Sequence, residues 1–184
     1  IGYNVDKVKA ANPNAPLDSW ALVMDPAVAK SFQKCGIAVL DSATEMYSMV
    51  LAYLGKDPNS QKPEDLDAAT EALLKFRPFL KYIDTQRMIE DLASGEICVA
   101  VGYNGDMLQA RTRADETKTG QNIAYYIPKE GSIIWFDSYL IPKDAPHPKN
   151  AHAFINYMLK PDVIGAVSNF TNYANGNAKE TEFV

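Results

Sequence analysis

Two short runs constrain this chain more than anything else in it. Residues 37–40 and 97–101 are apolar throughout, and stretches of helical periodicity separate and follow them. Five apolar residues without polar alternation, as at 97–101, suit a strand covered on both faces, the situation in a parallel sheet flanked by helices. A helix is predicted over 44–54, where Met46, Met49, Val50, Tyr53 and Leu54 recur at helical spacing behind the capping types Asp41, Ser42 and Thr44, with Gly55 ending it. A second is predicted over 63–75, with Leu66, Ala69, Leu73 and Phe76 on one face. A third covers 85–93 and closes at Ser94-Gly95. Residues 102–106 read as a tight turn, with a helix starting near Asp106 and running to about Lys118. Residues 17–34 hold a short helical stretch that Pro26 limits. Strand and helix alternate, which is the signature of a layered α/β fold.

The tail changes character. Residues 123–127, 133–136 and 138–141 read as three short strands, followed by a Pro- and Lys-rich loop over 142–149. Helices are predicted over 151–159 and 163–169, with a polar stretch after them. The composition shift near 117–121 is the best boundary between domains, and no internal repeat appears.

Composition narrows the partners. The 184 residues are 47% hydrophobic and 22% charged, with a formal net charge of −5. Nucleic acid and anionic membranes need a basic face, so they fit poorly, and a cationic ligand fits better. No apolar run approaches the roughly 18 residues of a membrane span. The chain opens on the strand-like Ile1-Gly2-Tyr3 with no Met, which reads as a piece of a longer chain. Cys35 and Cys98 each lie beside an apolar run, and the residues alone leave open a disulfide or two buried thiols. His147 and His152 do not have metal-ligand spacing on a helix. There is no nucleophile elbow, no Cys-x-x-Cys, and no phosphate loop, since the turn at 102–106 lacks a lysine and ends in a carboxylate. No cofactor or metal is expected. A cleft enzyme working with two carboxylates stays open on these grounds.

Several stretches carry a resemblance. They are Ile1-Gly2-Tyr3-Asn4, Asp6-Lys7-Val8, Ser19-Trp20, Cys35-Gly36, Tyr53-Leu54-Gly55-Lys56-Asp57-Pro58, the run from Asp91 to Ala100, Gly102 with Gly105-Asp106, Ile127-Pro128-Lys129-Glu130-Gly131, Trp135-Phe136-Asp137 and Tyr173-Ala174-Asn175. Together, in register over nearly the whole chain, they resemble the polyamine-binding periplasmic proteins of bacterial ABC importers. The resemblance implies a type II periplasmic binding protein fold, with two α/β lobes joined by a hinge and the ligand in the cleft between them. It implies that 1–117 form most of the second lobe, that 118–165 cross back into the first, and that 166–184 return to the second. It also implies a Cys35–Cys98 disulfide and an oxidising, periplasmic location. The expected partners are a polyamine, putrescine or spermidine, and a membrane permease. A monomer without enzymatic activity is expected.

A polyamine is a methylene chain with ammonium groups. Its site needs carboxylates to pair those charges and aromatic faces to cover the methylenes. By resemblance, Glu45, Asp106 and Asp137 pair with ammoniums, Tyr103, Trp135 and Tyr173 form an aromatic box, and Thr85 sits at a hydrogen-bonding position. Each has a plainer reading: Glu45 and Asp106 also suit helix starts, and Trp135 and Tyr103 suit a core. Asp137 is the sharpest case, a lone carboxylate within an apolar run. Thr85 stands where the family usually has serine, Tyr103-Asn104 departs from the family's turn, and Asp84 and Asn172 are not family-typical. These departures leave putrescine and spermidine both open, with Trp135 leaning toward the longer ligand. The rivals are the same fold binding another amine or an amino acid, and the carboxylate-pair enzyme.

Overall fold

The computed structural model describes residues 1–184. The chain divides into two compact units, Ile1–Ile133 and Ile134–Val184. The first is built on a five-stranded sheet of β1 (Gly2–Asn4), β2 (Ile37–Val39), β3 (Leu80–Ile83), β4 (Val99–Val101) and β5 (Ile123–Tyr125), in the order β3-β2-β4-β1-β5. Strands β2, β3 and β4 are parallel, and β1 runs antiparallel to both of its neighbours, β4 and β5. Every residue of β2 and β4 is buried, as strands covered on both faces must be.

Helix α1 (Val5–Ala11) follows β1 directly, its first turn capped by Asn4, whose side chain accepts the Lys7 N–H at 3.0 Å. Helices α2 (Ala21–Met24) and α3 (Pro26–Ala29) are separated at Asp25-Pro26, as the proline dictates. After β2 come α4 (Ala43–Tyr53) and α5 (Pro63–Phe76), which pack on each other and on α2. Helix α6 (Arg87–Ser94) leads from β3 to β4, and Gly95, at φ 83°, closes it in the left-handed conformation glycine tolerates. Helix α7 (Asn104–Glu116) leads from β4 to β5 and packs on α6. The crossover from β2 to β3 moves one way along the sheet, and those from β3 to β4 and from β4 to β5 move the other. The right-handedness of such crossovers therefore sends α4 and α5 to one face and α6 and α7 to the opposite one. A disulfide joins Cys35, just before β2, to Cys98, just before β4.

The second unit contains α8 (Pro148–Met158) and α9 (Pro161–Thr171), each with proline in its first turn. Tyr139 packs edge-to-face on Phe154, with centroids 5.7 Å apart. Asn177 donates to the Leu159 carbonyl and Asn169 to the Phe183 carbonyl, both at 2.8 Å, so the polar tail folds back on the two helices.

Four expectations need correction. Residues 102–106 are not a free-standing tight turn, because Asn104, Gly105 and Asp106 already form the first turn of α7. The runs 133–136 and 138–141 are not strands. An apolar run becomes a strand only when another strand satisfies its backbone, and here Ile134, Phe136 and Leu140 are 81, 84 and 85% exposed. Helix α8 begins three residues before the predicted start, at Pro148, and α9 extends two residues beyond each predicted end. Helix α1 and strand β3 were not predicted. Strand β3 alternates half-buried and exposed residues at the sheet edge and follows directly on the turn at Arg77–Phe79, so no apolar run announces it.

Candidate functional site

In an open α/β sheet, ligands bind beyond the carboxyl ends of the strands, at the point where neighbouring crossovers diverge. Here that point lies between β2 and β4, since the chain leaving β2 turns toward β3 while the chain leaving β4 turns toward β5. Glu45 and Tyr103 come from those two strand ends.

Glu45 stands in the first turn of α4, three residues into the helix that follows β2, where the helix dipole favours a carboxylate. Tyr103 immediately precedes α7, with extended backbone at φ −77° and ψ 146°. Its hydroxyl donates to Glu45 Oε2 at 2.6 Å, a short, charge-assisted bond between residues 58 apart in sequence. A carboxylate offers about four acceptor positions, and this bond uses one of them. Neither lysine nor arginine of the chain forms an ion pair with Glu45.

Asp106 lies in the first turn of α7, at the end of the same strand-to-helix connection as Tyr103, and is only 9% exposed. The backbone before it runs close to the core: a side chain at Gly102 would collide with the ends of buried Met88 and Met107. Glycine at 102 thus lets the chain pass from β4 into α7 close against Met88 of α6 and Met107 of α7.

Thr85 lies beyond β3. Its hydroxyl accepts the Asp41 N–H at 2.8 Å, tying the loop after β3 to the loop after β2. Asp84 beside it accepts the N–H groups of Gln86 and Arg87 at 3.1 and 3.0 Å, at the entry to α6. The three parallel strand ends are thereby linked in series, β3 to β2 through Thr85 and β2 to β4 through Glu45 and Tyr103.

Trp135, Asp137 and Tyr173 belong to the second unit. Trp135 and Asp137 stand in its irregular opening stretch, Trp135 41% exposed and Asp137 exposed. Tyr173 follows Asn172, which ends α9 in the left-handed conformation at φ 60°. The residue that sequence reasoning missed is Asp41, whose backbone rather than its side chain holds Thr85. No residue pattern signals a backbone partner of that kind.

Comparison with known proteins agrees with this architecture. The chain is 47% identical over 186 residues to the putrescine-binding periplasmic protein PotF of Escherichia coli, covering 100% of this chain and 50% of that protein. It is 46% identical over 185 residues to the putrescine-binding periplasmic protein SpuD of Pseudomonas aeruginosa, again covering 100% of this chain and 50% of the other. The fold matches the spermidine/putrescine ABC transporter substrate-binding protein PotD of Streptococcus pneumoniae with a TM-score of 0.76 at 26% identity, over 100% of this chain and 52% of that one. The chain therefore spans about half the length of the curated relatives it matches. Its mixed α/β architecture is that of the type II periplasmic binding proteins. With residues 1–182 matching the family model of the bacterial extracellular solute-binding proteins, the chain belongs to that family.

Proposed function

We propose that this chain is part of a periplasmic binding protein that captures a polyamine, putrescine or spermidine, and delivers it to an ABC importer without chemical conversion. The observation that carries the reading is the Tyr103–Glu45 hydrogen bond at the diverging strand ends, with buried Asp106 in the first turn of the helix beside it. An acidic pair of strand ends with a tyrosine beside it suits an ammonium group: the carboxylate pairs with the charge, and an aromatic ring face favours a cation by about 0.5–2 kcal/mol. The names of the relatives support the ligand class and the periplasmic location.

In this reading Glu45 and Asp106 meet ammonium groups from the first unit, with Tyr103 orienting Glu45. Asp137 supplies a further carboxylate, and Trp135 and Tyr173 cover methylenes. Residues 1–117 are most of one lobe, the segment 118–165 stays with the first unit through β5 and up to Ile133 before it crosses to the other, and 166–184 return. A ligand held by carboxylates of both lobes binds the closed form better than the open one and shifts the population toward it. The closed form is what the permease receives.

The test is thermal or chemical denaturation of the intact protein with putrescine, with spermidine, and with acidic ligands and sugars as controls. A polyamine at 100 times its dissociation constant should add about 2.7 kcal/mol of stability. Stabilisation by the controls and none by either polyamine would reject the reading. Because the chain spans about half the length of its relatives, and in this reading the remaining part of the opposing lobe completes the site, the 184-residue chain by itself should bind far more weakly than the intact protein.

A further inference from the structure

Away from the strand ends, two segments about 110 residues apart in sequence are joined by an unusual density of polar contacts. The Ser19 hydroxyl donates to one oxygen of the Glu130 carboxylate, and the Trp20 N–H donates to the other at 3.2 Å. The Trp20 indole N–H donates to the Gly131 carbonyl at 2.8 Å. The Lys129 N–H donates to the Asp18 carbonyl at 2.7 Å, and the side chains of the same two residues form an ion pair. The Tyr126 hydroxyl donates to the Ser19 carbonyl at 3.0 Å. Trp20 and Ser19 are both buried, so this is an anchored attachment rather than a surface coincidence. Burial alone would push the Glu130 carboxyl up, but the hydrogen bonds from Ser19 and from backbone N–H groups outweigh it and hold the group below its usual range.

The position of this clasp gives it a role. β5 ends at Tyr125, the clasp holds residues 126–131, and the second compact unit begins at Ile134. We propose that Glu130, with Ser19 and Trp20, is a positioning device that makes residues 126–131 a rigid extension of the first unit, so that the connection to the second unit bends only beyond the clasp. A connection left loose from Tyr125 onward would spread any motion between the units over many residues. A clasped one restricts the motion to a few dihedral angles and thus to fewer directions, which is how a hinge acquires a defined axis. Gly131, at φ 98° with open space where a side chain would be, is a fitting last residue of such a clasp.

Native-state amide hydrogen exchange on the full chain without ligand tests this independently of the polyamine reading. The Lys129 and Gly131 amides should exchange at least about tenfold more slowly, relative to their intrinsic rates, than those of Ile134 and Phe136. The Ser19→Ala and Glu130→Gln variants should speed exchange at Lys129 and Gly131 while leaving Ala38 and Ala100, in the central strands, unchanged. Equal exchange at 129, 131, 134 and 136 in the unmodified chain would overturn the proposal. So would unchanged protection at 129 and 131 in both variants.

Discussion

The Tyr103 hydroxyl donates to Glu45 Oε2 at 2.6 Å, joining the two strand ends from which the chain departs in opposite directions. The bond orients one carboxylate oxygen, and in the proposed function the rest of its acceptor capacity meets a ligand ammonium. Tyr103→Phe keeps the ring and removes the donor. A hydrogen bond to a charged group is worth about 1.5–3 kcal/mol, and this one is made without ligand, so the unliganded protein should lose stability of that order, while polyamine affinity falls by at most roughly ten- to a hundredfold through the lost orientation of Glu45. Titration calorimetry reads the affinity, and urea unfolding of the unliganded protein reads the loss of stability.

Asp106→Asn should act more severely on binding. It is nearly isosteric, so the first turn of α7 is retained, but under the proposed function a ligand ammonium then lacks its charge partner beside a buried position. Removing one partner of a buried pair costs about 3–5 kcal/mol, a loss of at least about a hundredfold in affinity by the same calorimetry. Unchanged affinity would remove Asp106 from the site.

Thr85 is expected to act through the Asp41 N–H that it accepts. Thr85→Val keeps the shape and loses the acceptor, and should cost about 0.5–1.5 kcal/mol in urea unfolding. Thr85→Ser keeps the acceptor and should restore most of that loss.

The disulfide between Cys35 and Cys98 spans a sequence separation of 63 residues and fastens the starts of β2 and β4. In the chain-entropy view, a cross-link closing a loop of this size stabilises by about 4 kcal/mol. The Cys35→Ser/Cys98→Ser double variant should lose stability of that order in denaturant titration.

Glu130 gives a pH signature. Its carboxyl is held below the ordinary glutamate value of 4.5, so the unfolded chain takes up a proton at higher pH than the folded one. Its contribution to stability is therefore fully present above that value and is lost as pH falls through the folded-state pKa. Urea unfolding should show Glu130→Gln less stable than the unmodified protein at neutral pH, with the difference shrinking once the pH is well below 4.5.

What could be read without coordinates was what depends on local pattern. The wholly apolar run at 97–101 announced a buried strand, because only a strand covered on both faces repays five successive apolar residues. The spacing of Met46, Met49 and Val50 announced α4, whose buried face they form. The fold family and the disulfide were legible through residue motifs shared with relatives, not through periodicity. The tertiary structure decided whatever requires two distant segments to meet. It made an edge strand of Leu80–Ile83, which no apolar run marks, and denied strand structure to the equally apolar stretch around Phe136, because strand formation depends on a pairing partner. It brought Tyr103 to Glu45, gave Thr85 a backbone partner in Asp41, and closed Glu130 onto Ser19. Hydrogen bonds between residues tens of positions apart depend on distances of a few tenths of an ångström, set by how helices and strands pack, and no sequence pattern of spacing or composition carries that information.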